Sequence, residues 1–382
     1  DWSILHIYPH SLSYFITSSS SSYHHHHQIG VYSTYSMWLI SECFYMRPNI
    51  ATYDQLCETA LGFTGRLIGS INIVMLEILV GAGYIVFVGR NFASVVFGVP
   101  AEGLMLACLP IIGAFLFQKD VNSLGFISGA GNAAIVCSLA IIMYFSFMNT
   151  EGNGTYHYGG DLEGLAVFMG STVFMFSGHA EVVAIVKPMK DRSKYPKVLV
   201  ISVGTLFLIY LVFGLVVYIS FGEKTEGLIF ENMSGNLVAV TKVFHSLAIL
   251  FSIPVKLWPA FEAIELGMLG QNWEIQPNVT LQTRITSVGI RLSLLIATGA
   301  VAILVPDFAF LVAFCGSFCI TLVGLVLPPL MYIILCNADS NQFREDRRMS
   351  TLSCVIHWIL FAIGVGVCVG SSAQILIAKF SK

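Results

Sequence analysis

A histidine stands beside a glycine and a serine in a stretch that is otherwise mostly apolar. The stretch is FSGHAEVVAIVK, residues 176–187, and it contains Ser177, Gly178 and His179. Histidine titrates near neutral pH, so His179 could take up and release a proton. Glycine and serine favour non-helical backbone, so a helix can unwind there and offer N–H and C=O groups to an anionic ligand. The pattern fits equally well a glycine that packs closely and a histidine bonded to a neighbouring helix.

A second set of residues recurs at helical spacing. Glu77, Gly81 and Tyr84 place a carboxylate, a gap and a phenol on one helix face. Burial disfavours the charged form of a carboxylate, so a buried Glu77 could carry a proton. The alternative is that Glu77 makes a fixed hydrogen bond that pins two helices together. His245 is a further ionisable residue inside an apolar run.

The elements that carry these groups are apolar helices. Hydrophobic residues make up 56% of the chain and charged residues 11%, whereas a soluble domain has about a quarter charged residues. The chain divides into about ten apolar runs of the length that crosses a bilayer as a helix. The runs are 29–46, 67–89, 102–117, 123–147, 163–186, 198–221, 237–256, 286–305, 308–335 and 353–378. We therefore expect an all-α, polytopic membrane protein.

Basic residues lie mostly on one side of these runs, and the positive-inside rule makes that side cytosolic. The loops 148–162 and 222–236 then lie outside or in a lumen. Each holds a glycosylation triplet, NGT at Asn153 and NMS at Asn232. A third triplet, NVT at Asn278, lies on the inner side and should stay unmodified.

Several classes of function have no support in the sequence. A net charge of −3 is too small to suggest nucleic acid as a partner, and the apolar runs leave no room for a compact soluble catalytic domain. No Gly-Lys-Ser/Thr loop for a nucleotide occurs, and no ring of charged pore residues suggests a channel. The cysteines show no disulfide framework, and we give the histidine tract within residues 1–28 no metal-binding role. We expect no enzyme activity, no cofactor and no metal.

The segment that begins FSGHAEVVAIVKPMKDRSKYPKVLV resembles the core of the amino acid/auxin permease superfamily. It combines a broken span, a basic loop with a YPKVL turn, and a following span that ends in YISFG. TYDQLCETALGFTGR is similar to the family's amphipathic inner helix, and MLEILVGAGYIVFVGRN to the span after it. SIPVKLWPAFEAIE and LVPDFAFLVAFCGSFCITLVGLVLPPLMY resemble later spans. GEKTEGLIFENMSGNLVAVTKVF is closest to the vesicular inhibitory amino acid transporters and their vacuolar relatives.

The resemblance covers residues 30–378 and implies a LeuT-like fold of two inverted repeats. The family's first span, which carries half of the substrate site, has no counterpart before residue 29. We interpret residues 1–28 as a low-complexity segment outside the membrane, from a fragment or a faulty gene model, and 29–378 as the transporter domain.

The function that the resemblance implies is secondary active transport of a small amino acid, coupled to a proton gradient. Either Glu77 or His179 would carry the coupling proton. The residues that the resemblance assigns to the substrate are Tyr84, Phe176, Ser177, Gly178, His179, His245 and Ser252. The alternative is a sensor or scaffold of the same fold that binds an amino acid without moving it, or an inactive fragment. The amino acid, the direction of coupling, the oligomeric state and the choice among vesicle, vacuole, lysosome and plasma membrane stay open.

Overall fold

The chain is helical throughout the residues that the structure describes. The structure, a computed structural model, describes residues 21–381 apart from 49, 51, 97, 117–120, 149–161, 227, 271–279 and 340–349. The helices are α1 (Ser21–Met46), α2 (Tyr53–Ala93), α3 (Ala101–Leu116), α4 (Val121–Met148), α5 (Leu162–Met175), α6 (Val182–Val186), α7 (Tyr195–Phe221), α8 (Asn236–Leu269), α9 (Leu281–Leu304), α10 (Phe308–Cys315), α11 (Leu327–Asp339) and α12 (Thr351–Phe380). Two π-helical segments, Gly316–Ile320 and Leu322–Val326, join α10 to α11.

Each predicted apolar run lies on one of these helices or on a neighbouring pair of them. Within the described residues, six helical stretches are long and apolar enough to cross a membrane. They are Tyr53–Ala93, Arg192–Phe221, Asn236–Leu269, Leu281–Leu304, Phe308–Ala338 and Thr351–Phe380. Three apolar stretches are shorter, namely Ala101–Leu116, Ala133–Met148 and Gly164–Met175. The prediction of a polytopic all-α protein is confirmed, and the number of ten spans stays a prediction.

Two long helical stretches have irregular features at identifiable residues. α2 consists of two helices that meet at a kink at Gly62, where φ is 70° and ψ is −160°, so a separate short helix precedes the span, as the sequence predicted. Glycine adopts this backbone conformation at little cost because it has no Cβ. α8 continues to Leu269, beyond the expected end at 256, and accommodates Pro254 and Pro259 inside the helix. Membrane helices tolerate proline where neighbouring groups satisfy the freed carbonyls.

The described residues fall into two compact units, and the first consists of those within 74–156 and 213–312. In this unit α4 packs along α8, and α9 packs against both α3 and α8. Small residues permit these contacts, since a Cβ on Gly299 would lie 2.7 Å from the Leu109 side chain. The first unit is therefore built from regular helices that meet through side chains.

The second unit consists of the described residues within 11–73, 157–212 and 313–382. Here α5 packs against the π-helical segment Gly316–Ile320 and against α12, and α1 packs against α5, α6 and α11. The contact between α5 and Gly316–Ile320 is made by backbone, because a Cβ on Gly316 would overlap the Gly170 carbonyl oxygen. A buried cluster that includes Phe44, Tyr53 and Met331 fills the interior of this unit.

Candidate functional site

The helix break that the sequence predicted lies between α5 and α6. α5 ends at Met175, α6 begins at Val182, and Gly178 between them has a φ of 141°. This conformation favours glycine, so the residue type and the break are linked. Within the described part of the chain, the backbone N–H groups of Gly178, His179 and Ala180 donate to no acceptor. These donors can bind an anionic group such as a carboxylate.

His179 is buried beside these donors, with 1% of its surface exposed. The Ser33 hydroxyl of α1 donates to the Phe176 carbonyl oxygen at 2.9 Å and lies 3.2 Å from His179 Nε2. Since the only hydrogen of that hydroxyl goes to the carbonyl, Nε2 must carry the proton and donate to Ser33. His179 Nδ1 then has a lone pair, and it has no hydrogen-bond partner among the described residues. This nitrogen can accept a proton.

The space for the imidazole ring is provided by a glycine of the π-helical segment Leu322–Val326. A Cβ on Gly324 would lie 2.7 Å from His179 Nδ1 and Cε1, so the ring rests directly on the backbone. A π-helical turn leaves carbonyl groups that need other donors. Hydroxyl groups supply them, because Tyr53 donates to the Val323 carbonyl oxygen at 2.6 Å and Ser36 donates to that of Gly324.

Sequence reasoning missed Ser33 and Gly324 as parts of this site. One signal was present, because Ser33 and Ser36 are spaced as neighbours on one helix face within an apolar run. Both are buried, at 1% and 0% exposure. Buried serines at helical spacing indicate a polar face turned to the protein interior.

The other candidate residues belong to the first unit. Glu77 and Tyr84 of α2 are buried, at 3% and 4% exposure. Gly81, which lies between them on the same face, allows close approach of α9, because a Cβ there would be 2.9 Å from Thr298 Cγ2. The face of α2 that carries the carboxylate and the phenol is therefore packed inside this unit.

His245 of α8 lies between two aromatic rings, with centroid distances of 5.4 Å to Phe87 and 5.6 Å to Phe230. Its side chain is fully buried. Ser252, two turns further along α8, donates to the Ile249 carbonyl oxygen of its own helix at 2.7 Å. The hydroxyl hydrogen of Ser252 is thus used inside the helix.

The loop that follows α7 is held by polar contacts at its ends. Arg90 lies 3.7 Å from the Glu231 carboxylate and donates to the Pro306 carbonyl oxygen at 2.6 Å. The Asn232 amide donates to the Lys224 carbonyl oxygen at 2.5 Å, and its oxygen accepts from the Glu226 backbone N–H at 2.8 Å. In the folded protein the Asn232 side chain therefore closes the loop.

Of the predicted glycosylation residues, only Asn232 lies within the described residues. Asn153, and Asn278, which was predicted to stay unmodified, lie outside them. The use of these triplets stays a prediction.

The chain has apolar helices that can cross a membrane, a glycine break after one of its shorter apolar helices, and buried ionisable residues, a combination typical of membrane transport proteins. The model of the family "Transmembrane amino acid transporter protein" matches residues 27–377. The chain belongs to this family, and the resemblance to the amino acid/auxin permease superfamily and its vacuolar branch is confirmed.

Named relatives agree with this assignment. Amino acid transporter AVT3C of Arabidopsis thaliana is 24% identical over 81% of this chain and 73% of its own length. Amino acid transporter AVT1D of the same plant is 28% identical over 89% of this chain, which spans 61% of that relative. These relatives are named as transporters and not as enzymes. The protein is thus a multi-pass integral membrane protein of an amino acid transporter family.

A solved structure shows the same fold. A Na⁺-coupled sialic acid symporter, in its substrate-bound outward-open state, matches with a TM-score of 0.50 at 10% identity. The match covers 98% of this chain and 89% of that one. The fold of this chain is therefore that of a membrane transporter.

Proposed function

We propose that the protein is a secondary active transporter of a small amino acid, driven by a proton gradient. The observation that carries the proposal is the break between Met175 and Val182, where three backbone N–H groups have no acceptor among the described residues. Membership of the amino acid transporter family supports the substrate class. The fold would comprise about ten spans here, and the inverted repeats of LeuT-like transporters would generate them.

The break would bind the carboxylate of the amino acid. The N–H groups of Gly178, His179 and Ala180 would donate to it, and the Phe176 carbonyl oxygen and Ser177 would border the same space. Donors fixed by the surrounding helices need no reorganisation when the ligand arrives, which favours binding. Tyr84, His245 and Ser252, which belong to the first unit, stay predicted substrate residues.

The coupling proton would be carried by His179 or by Glu77. Nδ1 of His179 has the lone pair to accept it, next to the backbone donors that would hold the substrate. Glu77 is a buried carboxylate in a segment apolar enough to span a membrane. An ionisable residue in such a position is a candidate for a proton path by default.

The break is tested by Gly178→Leu. Leucine disfavours a φ of 141° and favours a continuous helix, so uptake of labelled amino acid into proteoliposomes should be abolished while expression persists. The matched control is Gly289→Leu, since Gly289 is exposed on α9 and a Cβ there would contact nothing within 4 Å. Saturable uptake by Gly178→Leu at the level of the control would show that the break does not bind substrate.

The coupling residue is tested by Glu77→Gln and His179→Gln, each assayed for gradient-driven accumulation and for exchange of internal against external substrate. Loss of the proton carrier should abolish accumulation and leave part of the exchange. If both variants still accumulate substrate against a pH gradient, neither residue carries the proton. If the unchanged protein binds amino acids but never accumulates them, it is a sensor and the transport proposal is wrong.

A further inference from the structure

The second unit contains a cavity whose lining does not include the backbone donors Gly178, His179 and Ala180. The cavity has a volume of about 550 Å³, which is in the usual range for a small-molecule site. It lies between α1 and the first half of α7, and the Phe176 ring forms part of its wall. Other lining residues are Thr34, Tyr35, Trp38, Val200, Val203 and Gly204.

The hydroxyl groups in this lining are already used within the protein. The Thr34 hydroxyl donates to the Gly30 carbonyl oxygen of its own helix at 2.7 Å. The Tyr35 hydroxyl lies 3.0 Å from His357 Nε2, and His357 Nδ1 lies 2.6 Å from the Ser353 carbonyl oxygen. Because a carbonyl oxygen can only accept, Nδ1 carries the hydrogen and Nε2 accepts from Tyr35. Both hydroxyl hydrogens are therefore unavailable to a ligand.

The charge of the lining excludes an amino acid as the occupant. None of the described residues that line the cavity is charged. A zwitterion there would lose its hydration without gaining an ionic partner, which is costly. An apolar cavity of this kind also stays dry, because a water molecule needs polar partners. The lining fits a hydrocarbon group.

The cavity opens towards the surface that faces the hydrocarbon of a membrane. Val200 lines it and is 61% exposed. Ile201 and Leu208, on the same helix, are 59% and 60% exposed. This helix belongs to the stretch Arg192–Phe221, which is apolar enough to span a membrane and has few buried residues. An apolar group that enters from this side comes from the bilayer.

We propose that the cavity binds one acyl chain of a membrane lipid. The chain would enter past Val200 and lie along Trp38 and Gly204, where a Cβ would contact nothing within 4 Å. Its end would reach the Phe176 ring, which packs over Gly30 and meets the Tyr210 ring edge-on at a centroid distance of 6.5 Å. The site is thus a lipid site next to the helix break and separate from its backbone donors.

The experiment uses Trp38 as a reporter in the full chain, with the other four tryptophans replaced by phenylalanine. The purified protein in detergent micelles is titrated with phosphatidylcholine whose acyl chains carry bromine, which quenches nearby tryptophan fluorescence. We expect quenching to saturate at one lipid per protein. Gly204→Leu should fill the cavity and remove the saturable part. Gly366→Leu, at a glycine of α12 that also has open space around it, should leave it unchanged.

Each other result counts against the proposal. Quenching that rises in proportion to lipid, equally in Gly204→Leu and Gly366→Leu, would show contact with bulk lipid only. Absence of quenching in the unchanged reporter protein would show that another segment of protein covers the cavity. If Gly204→Leu elutes as aggregate, Val203→Phe serves as a second cavity-filling variant and must likewise remove the saturable part of the quenching. The assay measures no transport, so its outcome is independent of the proposed function.

Discussion

The two units of the molecule hold their helices together by different means. In the first unit, regular helices meet through side chains, and a buried ion pair joins two of them, with Arg291 Nε 3.0 Å from Glu265 Oε1. In the second unit, helices meet through backbone at Gly170 and Gly316. Its main chain is irregular, with a break at residues 176–181 and two π-helical segments.

The hydrogen bonds follow the same division. In the first unit, Arg291 satisfies its own charge, donating to Glu265 and to the Leu116 carbonyl oxygen at 2.9 Å. In the second unit, neutral hydroxyls such as that of Tyr53 donate to carbonyl groups that the irregular main chain has freed. Backbone groups become available to a ligand only where helices are interrupted. In the second unit, hydroxyl groups therefore satisfy carbonyl groups that the irregular main chain leaves open, whereas in the first unit a buried ion pair connects two helices.

The largest effect should come from breaking the ion pair of the first unit. Arg291→Leu leaves Glu265 charged and buried, since the two side chains are only 8% and 6% exposed. Removing one partner of a buried pair costs about 3–5 kcal/mol. We expect a large fall in the midpoint of thermal unfolding in detergent.

Two further variants sharpen this test. The double variant Arg291→Leu with Glu265→Leu should recover much of the loss, because no charge is then left unpaired. The exposed pair Arg66 and Glu58, at 32% and 40% exposure, is the control, and Arg66→Leu should cost at most about 1 kcal/mol. If Arg291→Leu and Arg66→Leu lower the midpoint of thermal unfolding equally, the buried ion pair does not stabilise the first unit in the way that distinguishes it from the second.

A smaller effect should come from a hydroxyl of the second unit. Tyr53→Phe removes the donor to the Val323 carbonyl oxygen and leaves that group without this bond in a buried place, which costs about 1–3 kcal/mol. In the first unit, the buried Thr298 hydroxyl donates to Leu294 of its own helix, whose carbonyl also has the regular helical bond. Thr298→Val should therefore cost less, under about 1 kcal/mol. Thermal unfolding of both variants decides whether irregular backbone makes hydroxyls more important.

The smallest effects should be changes in the stability of one loop in each unit, and these changes should have opposite pH dependences. Desolvation raises the pKa of Glu231 in the first unit, and the nearby Arg90 only partly opposes this. Protonation of Glu231 therefore stabilises the folded loop. This stabilisation is complete below the ordinary Glu pKa of about 4.3 and is lost as pH rises through the raised pKa. Hydrogen bonds from Ser193 lower the pKa of Asp191 in the second unit. The ionised Asp191 therefore stabilises its folded loop. This stabilisation is complete above the ordinary Asp pKa of about 3.9 and is lost as pH falls through the lowered pKa.

Amide protection factors, corrected for the intrinsic effect of pH on exchange, measure both loops in one sample. Protection in the loop of Glu231 should decrease as pH rises, and protection in the loop of Asp191 should decrease as pH falls. Glu231→Gln should remove the pH dependence of protection in the loop of Glu231 only, and Asp191→Asn should remove that in the loop of Asp191 only. Profiles of the same sign in both loops would contradict the assigned causes.

The sequence pattern indicated the break as one of two equal interpretations, and the family resemblance favoured it. Ser177 and Gly178 are weak helix formers inside an apolar run, and the structure interrupts the helix at these residues. The predicted apolar run ends at residue 256, whereas α8 continues to Leu269 with Pro254 and Pro259 inside it. A local pattern shows where a helix can stop, but packing against other helices decides whether it does.

Contacts between distant residues could not be predicted. Ser33 and His179 are 146 positions apart, and Glu265 and Arg291 are 26 apart on different helices. Arg291 lies within the predicted apolar run 286–305, and its buried ion pair with Glu265 could not be predicted from that run. The π-helical segments were also missed. The stretch Phe308–Ala338, which contains them, is buried on most sides and therefore apolar all round. Its sequence has no alternation of apolar and polar faces from which a change from α-helical to π-helical spacing could be recognised.

The backbone contact between Gly170 and Gly316 limits how this sequence can change over time. At most positions of a membrane helix, one apolar residue can replace another with a modest loss of stability. At these two positions even the smallest addition, a single methyl group, would enter space held by the main chain of the other helix. A second substitution that shortens a neighbouring side chain cannot make room for a larger residue at either position, because the added atom would clash with main-chain atoms, which every amino acid has. Both glycines should therefore persist through sequence drift that alters the side chains on every side of them.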